Sequence, residues 1–210
     1  MEATQELIIA SERIVESRFE RRKLLKTMVG SGVGLLTASI LSGCGGFGTS
    51  TFESGNTVDI NVLNFALNLE FLEAEYYLLA TTGVGLGAND RGVGAGAVTG
   101  GRQVTFATNA IRQYAAEIAA DELAHVRLLR SSLGDKAIVH PALNLDTSFD
   151  AAANAAGIGA TFDPYANEVN FLLGAFLFED VGVTAYKGAV PSVTDKGYIE
   201  ATAGLLSVES

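Results

Sequence analysis

Apolar residues recur at helical spacing along most of this chain and divide it into four long segments. Ile60, Leu63, Leu67, Ala74 and Leu78 share one face of the stretch 58–80, which their period assigns to a helix capped by Thr57 or Asp59. Residues 83–101 hold eight glycines among nineteen positions and break the pattern, so they read as a loop. The period resumes near Val104 and runs to about Ser132, closed by Gly134 with Arg127 and Arg130 in the last turns. Residues 135–162 keep no long period and read as an irregular crossover with room for one short helix. Asp163-Pro164 has the form of a helix start, with Asp as the cap and Pro at the first helical position. That third long helix runs to about Lys187, Pro191 punctuates it, and a fourth begins near Ser192 or Thr194. The fourth is still in pattern at Leu205-Leu206, close to Ser210, which suggests a fragment of a longer chain.

The first 57 residues follow different rules. A polar stretch leads into Arg21-Arg22-Lys23, then into a mildly apolar, glycine-containing run from Met28 to Leu41. The run is too short and too rich in glycine to span a membrane as a helix. Paired arginines ahead of a weak apolar run resemble a twin-arginine export signal, and Leu41-Ser42-Gly43-Cys44-Gly45 resembles a bacterial lipoprotein cleavage box. On that reading residues 1–43 are a signal and Cys44 is the lipidated first residue of the mature chain. Residues 44–57 then form a flexible tether, and 58–210 the folded domain. The implied location is the bacterial cell envelope: a periplasmic protein held to the membrane by a lipid on Cys44.

Composition narrows the function classes. Hydrophobic residues make up 48% and charged residues 18%, which argues for a packed core rather than disorder. Removing residues 1–43 takes six basic and five acidic residues away and leaves a net charge of −11, which makes nucleic acid an unsuitable partner. Cys44 is the only cysteine, so neither an internal disulfide nor a thiolate cluster can form. The glycine-rich loop lacks the Lys-Ser/Thr pair of a phosphate loop and follows a helix instead of a strand, so it is a poor nucleotide site. A homo-oligomer is compatible with all of this.

The candidate chemistry lies in acidic residues on apolar faces. Glu122 and His125 are three apart on one helix face with Ala115, Ile118, Ala119, Val126 and Leu129. Glu70 shares its face with Leu63, Ala66, Leu67, Ala74 and Tyr77, and Glu179 with Leu172, Ala175, Phe176 and Val183. Carboxylates in such surroundings need an internal partner, either a buried arginine or a metal ion. Glu73 lies beside Glu70 as a second-choice ligand or supporting group, whereas Glu75 points elsewhere and is expected in solvent. Asp121 is placed either to orient an imidazole or to face solvent. His140, ahead of Pro141, reads as a loop residue. Tyr77 and Tyr186 follow Glu70 and Glu179 by seven positions each, and Asn64-Phe65 and Asn170-Phe171 lead the two helices in, so the glutamates fall into a repeat. The tyrosines either donate to the carboxylates or simply pack.

These features resemble a known design. Lone glutamates on two helices and Glu-x-x-His on the other two form the ligand set of the ferritin-like di-iron and di-manganese carboxylate proteins. More narrowly, Asn64-Phe65-Ala66-Leu67-Asn68-Leu69-Glu70-Phe71-Leu72-Glu73-Ala74-Glu75-Tyr76-Tyr77 resembles the ferritin-like domain family that includes plant desiccation-related proteins and exported bacterial proteins. So do Phe178-Glu179-Asp180-Val181-Gly182-Val183-Thr184-Ala185-Tyr186 and the segment Phe162-Asp163-Pro164-Tyr165. The resemblance implies an all-α four-helix bundle with a long crossover between its second and third helices and a truncated fourth. It implies Glu70, Glu122, His125, Glu179 and Glu209 as ligands of two Fe or Mn ions, with Glu73, Asp121, Tyr77 and Tyr186 supporting them. The second histidine would stand three residues after Glu209, beyond Ser210. A di-metal oxidoreductase acting on dioxygen or peroxide is one implied function; a metal-free structural or binding protein of stress physiology is the other.

Overall fold

The structure is a computed structural model that describes residues 57–155 and 159–209, with the side chains of Ala152, Ala155, Asp180, Val181 and Glu209 outside that description. The expected signal, Cys44 and nearly all of the tether therefore lie outside the described residues. Four long helices form the bundle: α1 (Thr57–Thr82), α3 (Asn109–Leu133), α5 (Glu168–Ala189) and α6 (Lys196–Glu209). Between them lie the short helices α2 (Ala88–Arg91) and α4 (Thr147–Ala155) and two short strands, β1 (Val98–Thr99) and β2 (Leu143–Asn144). The strands pair in parallel, Val98 with Leu143 and Thr99 with Asn144, and this stitches the glycine-rich segment to the crossover.

Helix α1 is the centre of the molecule. Its buried residues fall on every side, from Leu63, Leu67 and Phe71 to Ala66, Tyr76 and Tyr77, as expected of a helix surrounded by protein. Tyr76 stacks on Phe171 with ring centroids 5.5 Å apart and donates a hydrogen bond of 2.8 Å to the Phe171 carbonyl. Farther up, Tyr77 meets Glu179, and toward the other end Glu70 meets Tyr186, so α1 and α5 run antiparallel. One core gathers around Tyr76, Tyr114, Phe149 and Phe171, the other around Leu67, Phe71, Leu129 and Leu205. The buried acidic residues Glu70, Glu73, Glu75 and Glu122 lie on α1 and α3.

Long-range caps fix the helix ends. The Glu168 carboxylate accepts from the backbone N–H groups of Ala107 and Thr108 at 3.0 and 2.8 Å, supplying donors at the start of α3 with the acceptor they lack locally. Asp59 is buried in the first turn of α1, but its carboxylate serves the far end of the chain. It accepts from the N–H groups of Thr194 and Asp195, both at 2.9 Å, just ahead of α6.

One helix start differs from its prediction. Helix α5 begins at Glu168, with the Asn167 side chain accepting from the Asn170 N–H, and not at Asp163-Pro164. The Asp163 carboxylate is instead engaged by Arg102 at 3.2 and 2.5 Å and by the Tyr165 N–H at 3.0 Å, which makes a turn ahead of the helix. Phe176 also departs from its assigned face and is 69% exposed, because the packed side of α5 is set by Phe171, Ala175 and Tyr186.

Candidate metal centre

Helices α1 and α3 share the most extensive contact in the bundle, and its inner side carries three polar groups. Glu70 comes from α1 and Glu122 and His125 from α3, and all three are buried. His125 Nδ1 lies 3.2 Å from Glu70 Oε2 and 3.3 Å from Glu122 Oε2. One donor atom from each residue can be chosen so that all lie within 4.8 Å of one another. The i, i+3 spacing puts Glu122 and His125 on one face, and the antiparallel packing of α1 brings Glu70 to them.

Two tyrosines cross the bundle to support these carboxylates. Tyr186 on α5 donates a short hydrogen bond to Glu70 Oε1, and Tyr77 on α1 donates one of 2.8 Å to Glu179 Oε1. The two contacts run in opposite senses, each tyrosine serving the glutamate of the other helix. Glu179 is half-buried, and it is linked to the buried trio through Tyr77, whose hydroxyl feels both Glu179 and Glu122.

The electrostatics follow from burial. Burial pushes the Glu70 carboxyl up, but the His125 charge and hydrogen bonds with His125, Glu122 and Tyr186 outweigh it, so the group sits below the usual glutamate range. Burial, then the charges of Glu179 and Glu122, raise the Tyr77 hydroxyl well above its ordinary value. Tyr77 therefore stays protonated and remains a donor to Glu179.

The donor chemistry fits a metal. Two carboxylates and one imidazole gathered in the core form a donor set that could hold a divalent cation. An oxygen-rich set with a single nitrogen suits Fe or Mn better than Cu or a structural zinc. Glu73 is buried on α1 near this group, and Asp121 is half-buried on α3. Glu209 ends α6, and its side chain lies outside the described residues.

One residue overturns its sequence-based reading: Glu75, expected in solvent, is 2% exposed. His140 lies in an irregular segment, as read, but is 1% exposed there. Glu75 Oε1 lies 3.2 Å from His140 Nε2 and 3.8 Å from Arg91 Nε, and its Oε2 accepts from the Leu86 N–H at 3.2 Å. His140 also packs on Phe71, with centroids 4.9 Å apart. The segments 83–96 and 137–145 thus cover the side of α1 that faces away from α5. Because the stretch of α1 from Glu70 to Tyr77 is enclosed on nearly every side, an acidic residue there ends up buried whichever face it occupies. The apolar character of Phe71, Leu72 and Tyr76 around Glu75 was the available signal.

Comparison with known proteins agrees with this architecture. A family model described as a ferritin-like domain matches residues 58–210. The chain is 35% identical over 157 residues to a desiccation-related protein of Craterostigma plantagineum, covering 72% of this chain and 50% of that protein. It is 30% identical over 173 residues to a ferritin-like catalase of Nesocodon mauritianus, covering 80% of this chain and 55% of that protein. The chain thus spans about half the length of these relatives. No solved structure matches it. An all-α bundle with buried carboxylates and an imidazole at its centre, matched over 58–210 by that family model, places the chain in the ferritin-like domain family.

Proposed function

We propose that this bundle holds two Fe or Mn ions and turns over hydrogen peroxide or dioxygen as part of oxidant defence in the bacterial envelope. The observation that carries this reading is the burial of Glu70, Glu122 and His125 with their donor atoms within 4.8 Å of one another. Similarity to a ferritin-like catalase supports the choice of substrate. Glu70, Glu122 and His125 would hold metal directly, with Glu179 and Glu209 completing a second position. Such a pair, when bound, supplies one- and two-electron redox chemistry on dioxygen-derived substrates.

The chain's own residues do the remaining work. Tyr186 fixes one oxygen of Glu70 and leaves the other toward His125. Tyr77 orients Glu179 and, as a protonated phenol, keeps a proton at Glu179 Oε1. The apolar walls from Leu63, Leu67, Val126 and Leu129 exclude bulk water and strengthen these interactions. Export by a twin-arginine signal, and anchoring through a lipid on Cys44, would place the protein at the outer face of a membrane. Dioxygen release from hydrogen peroxide by the Fe- or Mn-loaded full chain tests the activity, with Glu122→Gln as the control that should abolish it. Incorporation of labelled fatty acid at Cys44, lost in Cys44→Ala, tests the anchor.

Similarity to a desiccation-related protein supports a second reading, in which the same fold acts without metal as a stress-related structural or binding protein. Unchanged behaviour of Glu122→Gln in both metal retention and peroxide turnover would favour it.

A further inference from the structure

Glu70, Glu122 and His125 are buried, and reducing hydrogen peroxide to two waters takes two electrons and two protons. A reductant too large to enter the bundle must deliver its electrons through the protein. The aromatic core beside α5 holds a continuous series of rings. Tyr77 meets Tyr76 with ring centroids 5.0 Å apart, and Tyr76 meets Tyr165 at 5.4 Å. The Tyr165 hydroxyl lies against Gly101, where a Cβ would stand 3.3 Å from it. Gly101 is half-buried, and Gly100 and Arg102 beside it are exposed, so the series comes close to the surface there.

The hydroxyls give the three rings different roles. A phenol gives up an electron readily only where its proton can leave at the same time. Tyr77 donates to Glu179 Oε1 at 2.8 Å, so a carboxylate stands within reach to take that proton. Tyr76 donates to the Phe171 carbonyl at 2.8 Å, which is too weak a base to take one. The Tyr165 hydroxyl is buried without a hydrogen-bond partner among the described residues. Of the three, Tyr77 is therefore the ring equipped for oxidation, and the other two connect it to the surface.

We infer that Tyr165, Tyr76 and Tyr77 form an electron path from the surface around Gly100 and Arg102 to the buried carboxylates, with a soluble one-electron reductant as the second substrate. The inference rests on the proposed peroxide chemistry. In each cycle the Tyr77 ring loses one electron to the peroxide being reduced, and its phenolic proton moves to Glu179 Oε1. An electron from the reductant then crosses Tyr165 and Tyr76 to the ring, and the proton returns from Glu179. The reductant is oxidised by one electron and Tyr77 is restored. Two cycles supply the two electrons, and solvent supplies the two protons.

Flash-generated tris(bipyridine)ruthenium(III) is a one-electron oxidant too large to enter the bundle, and all six tyrosines are buried. With the metal-free full chain it runs the path in the outward direction. The complex takes one electron, and Tyr77 becomes a neutral phenoxyl radical, read by electron paramagnetic resonance after freezing. A Tyr186→Phe background removes the phenol bonded to Glu70. In that background the radical should form, disappear on adding Tyr77→Phe, and be largely lost on adding Glu179→Gln, which keeps an acceptor for Tyr77 but no base. Tyr165→Leu should slow its appearance severalfold, whereas Tyr165→Phe, which keeps the ring, should not. No radical in the background, an unchanged yield in Tyr77→Phe or Glu179→Gln, or equal rates in Tyr165→Leu and Tyr165→Phe would overturn the path. No metal is bound in this experiment, so its outcome is separate from those of metal retention and peroxide turnover.

Discussion

His140 Nε2 lies 3.2 Å from Glu75 Oε1, and neither side chain has appreciable contact with water. The pair joins the crossover to the central helix, with Arg91 and the Leu86 N–H sharing the same carboxylate. Removing the carboxylate leaves the buried His140 imidazole without its partner and takes an acceptor from Arg91 and from the Leu86 N–H. Glu75→Ala should therefore destabilise the fold by about 3 kcal/mol, in the range for breaking a buried ion pair. Urea unfolding checks the magnitude. Limited proteolysis should show new cleavage within 83–101, where the segment loses its hold on α1.

Tyr186→Phe removes one hydrogen bond to a buried carboxylate and changes little else. A loss of about 2 kcal/mol in stability is expected, as for a hydrogen bond to a charged group. Metal affinity should fall by about tenfold, the usual consequence of releasing a ligand's supporting partner. Titration of the metal-free variant with Mn(II) against a chelator of known affinity measures this.

Asp59 gives a pH dependence with a definite sign. Burial raises its carboxyl, but the N–H groups of Thr194 and Asp195 and the Thr194 hydroxyl outweigh burial and hold it below the ordinary value. A carboxyl depressed in the folded state contributes stability that is present above its unfolded value, about pH 4, and is lost as pH falls through the folded value. The wild type should exceed Asp59→Asn in stability at neutral pH, and the two should converge once pH has fallen through the lowered folded value and both are uncharged at this position. Thermal unfolding of the two proteins across acid pH tests it.

Gly94 and Gly96 separate two costs of replacing glycine. Gly94 has φ +82° and open space where a Cβ would stand, so Gly94→Ala should cost only the backbone strain, about 1 kcal/mol. A Cβ on Gly96 would stand 2.2 Å from the Ala142 backbone nitrogen, which cannot rotate away. Gly96→Ala should cost clearly more and should separate the crossover from the glycine-rich segment. Unfolding free energies of the two variants, measured side by side, give the comparison.

The long helices were legible because their apolar periods are strong: 58–80 became Thr57–Thr82, and 104–132 became Asn109–Leu133. The inward placement of Glu70, Glu122 and His125 was legible for the same reason, since a helical face is a local property. What stayed hidden depends on partners distant in sequence. Asp163-Pro164 has a good local start signal, yet Arg102 takes the Asp163 carboxylate and the helix waits for Asn167. Glu75 looked exposed because its face points away from Glu70, and nothing near it in the chain shows that His140 and Leu86 fold over it. Tyr77 and Tyr186 were recognisable as a repeat, but spacing alone could not show that each bonds the glutamate of the other helix.

Metal content decides most directly whether the buried glutamates and histidine form a metal centre. The full chain, loaded with Fe(II) or Mn(II) under anaerobic conditions and then freed of loose metal, should retain about one equivalent or more by elemental analysis, as expected for a buried carboxylate–imidazole site. His125→Ala and Glu70→Gln should each retain much less while keeping their helical content. Wild-type retention no higher than that of these two variants would contradict a metal centre built on Glu70, Glu122 and His125.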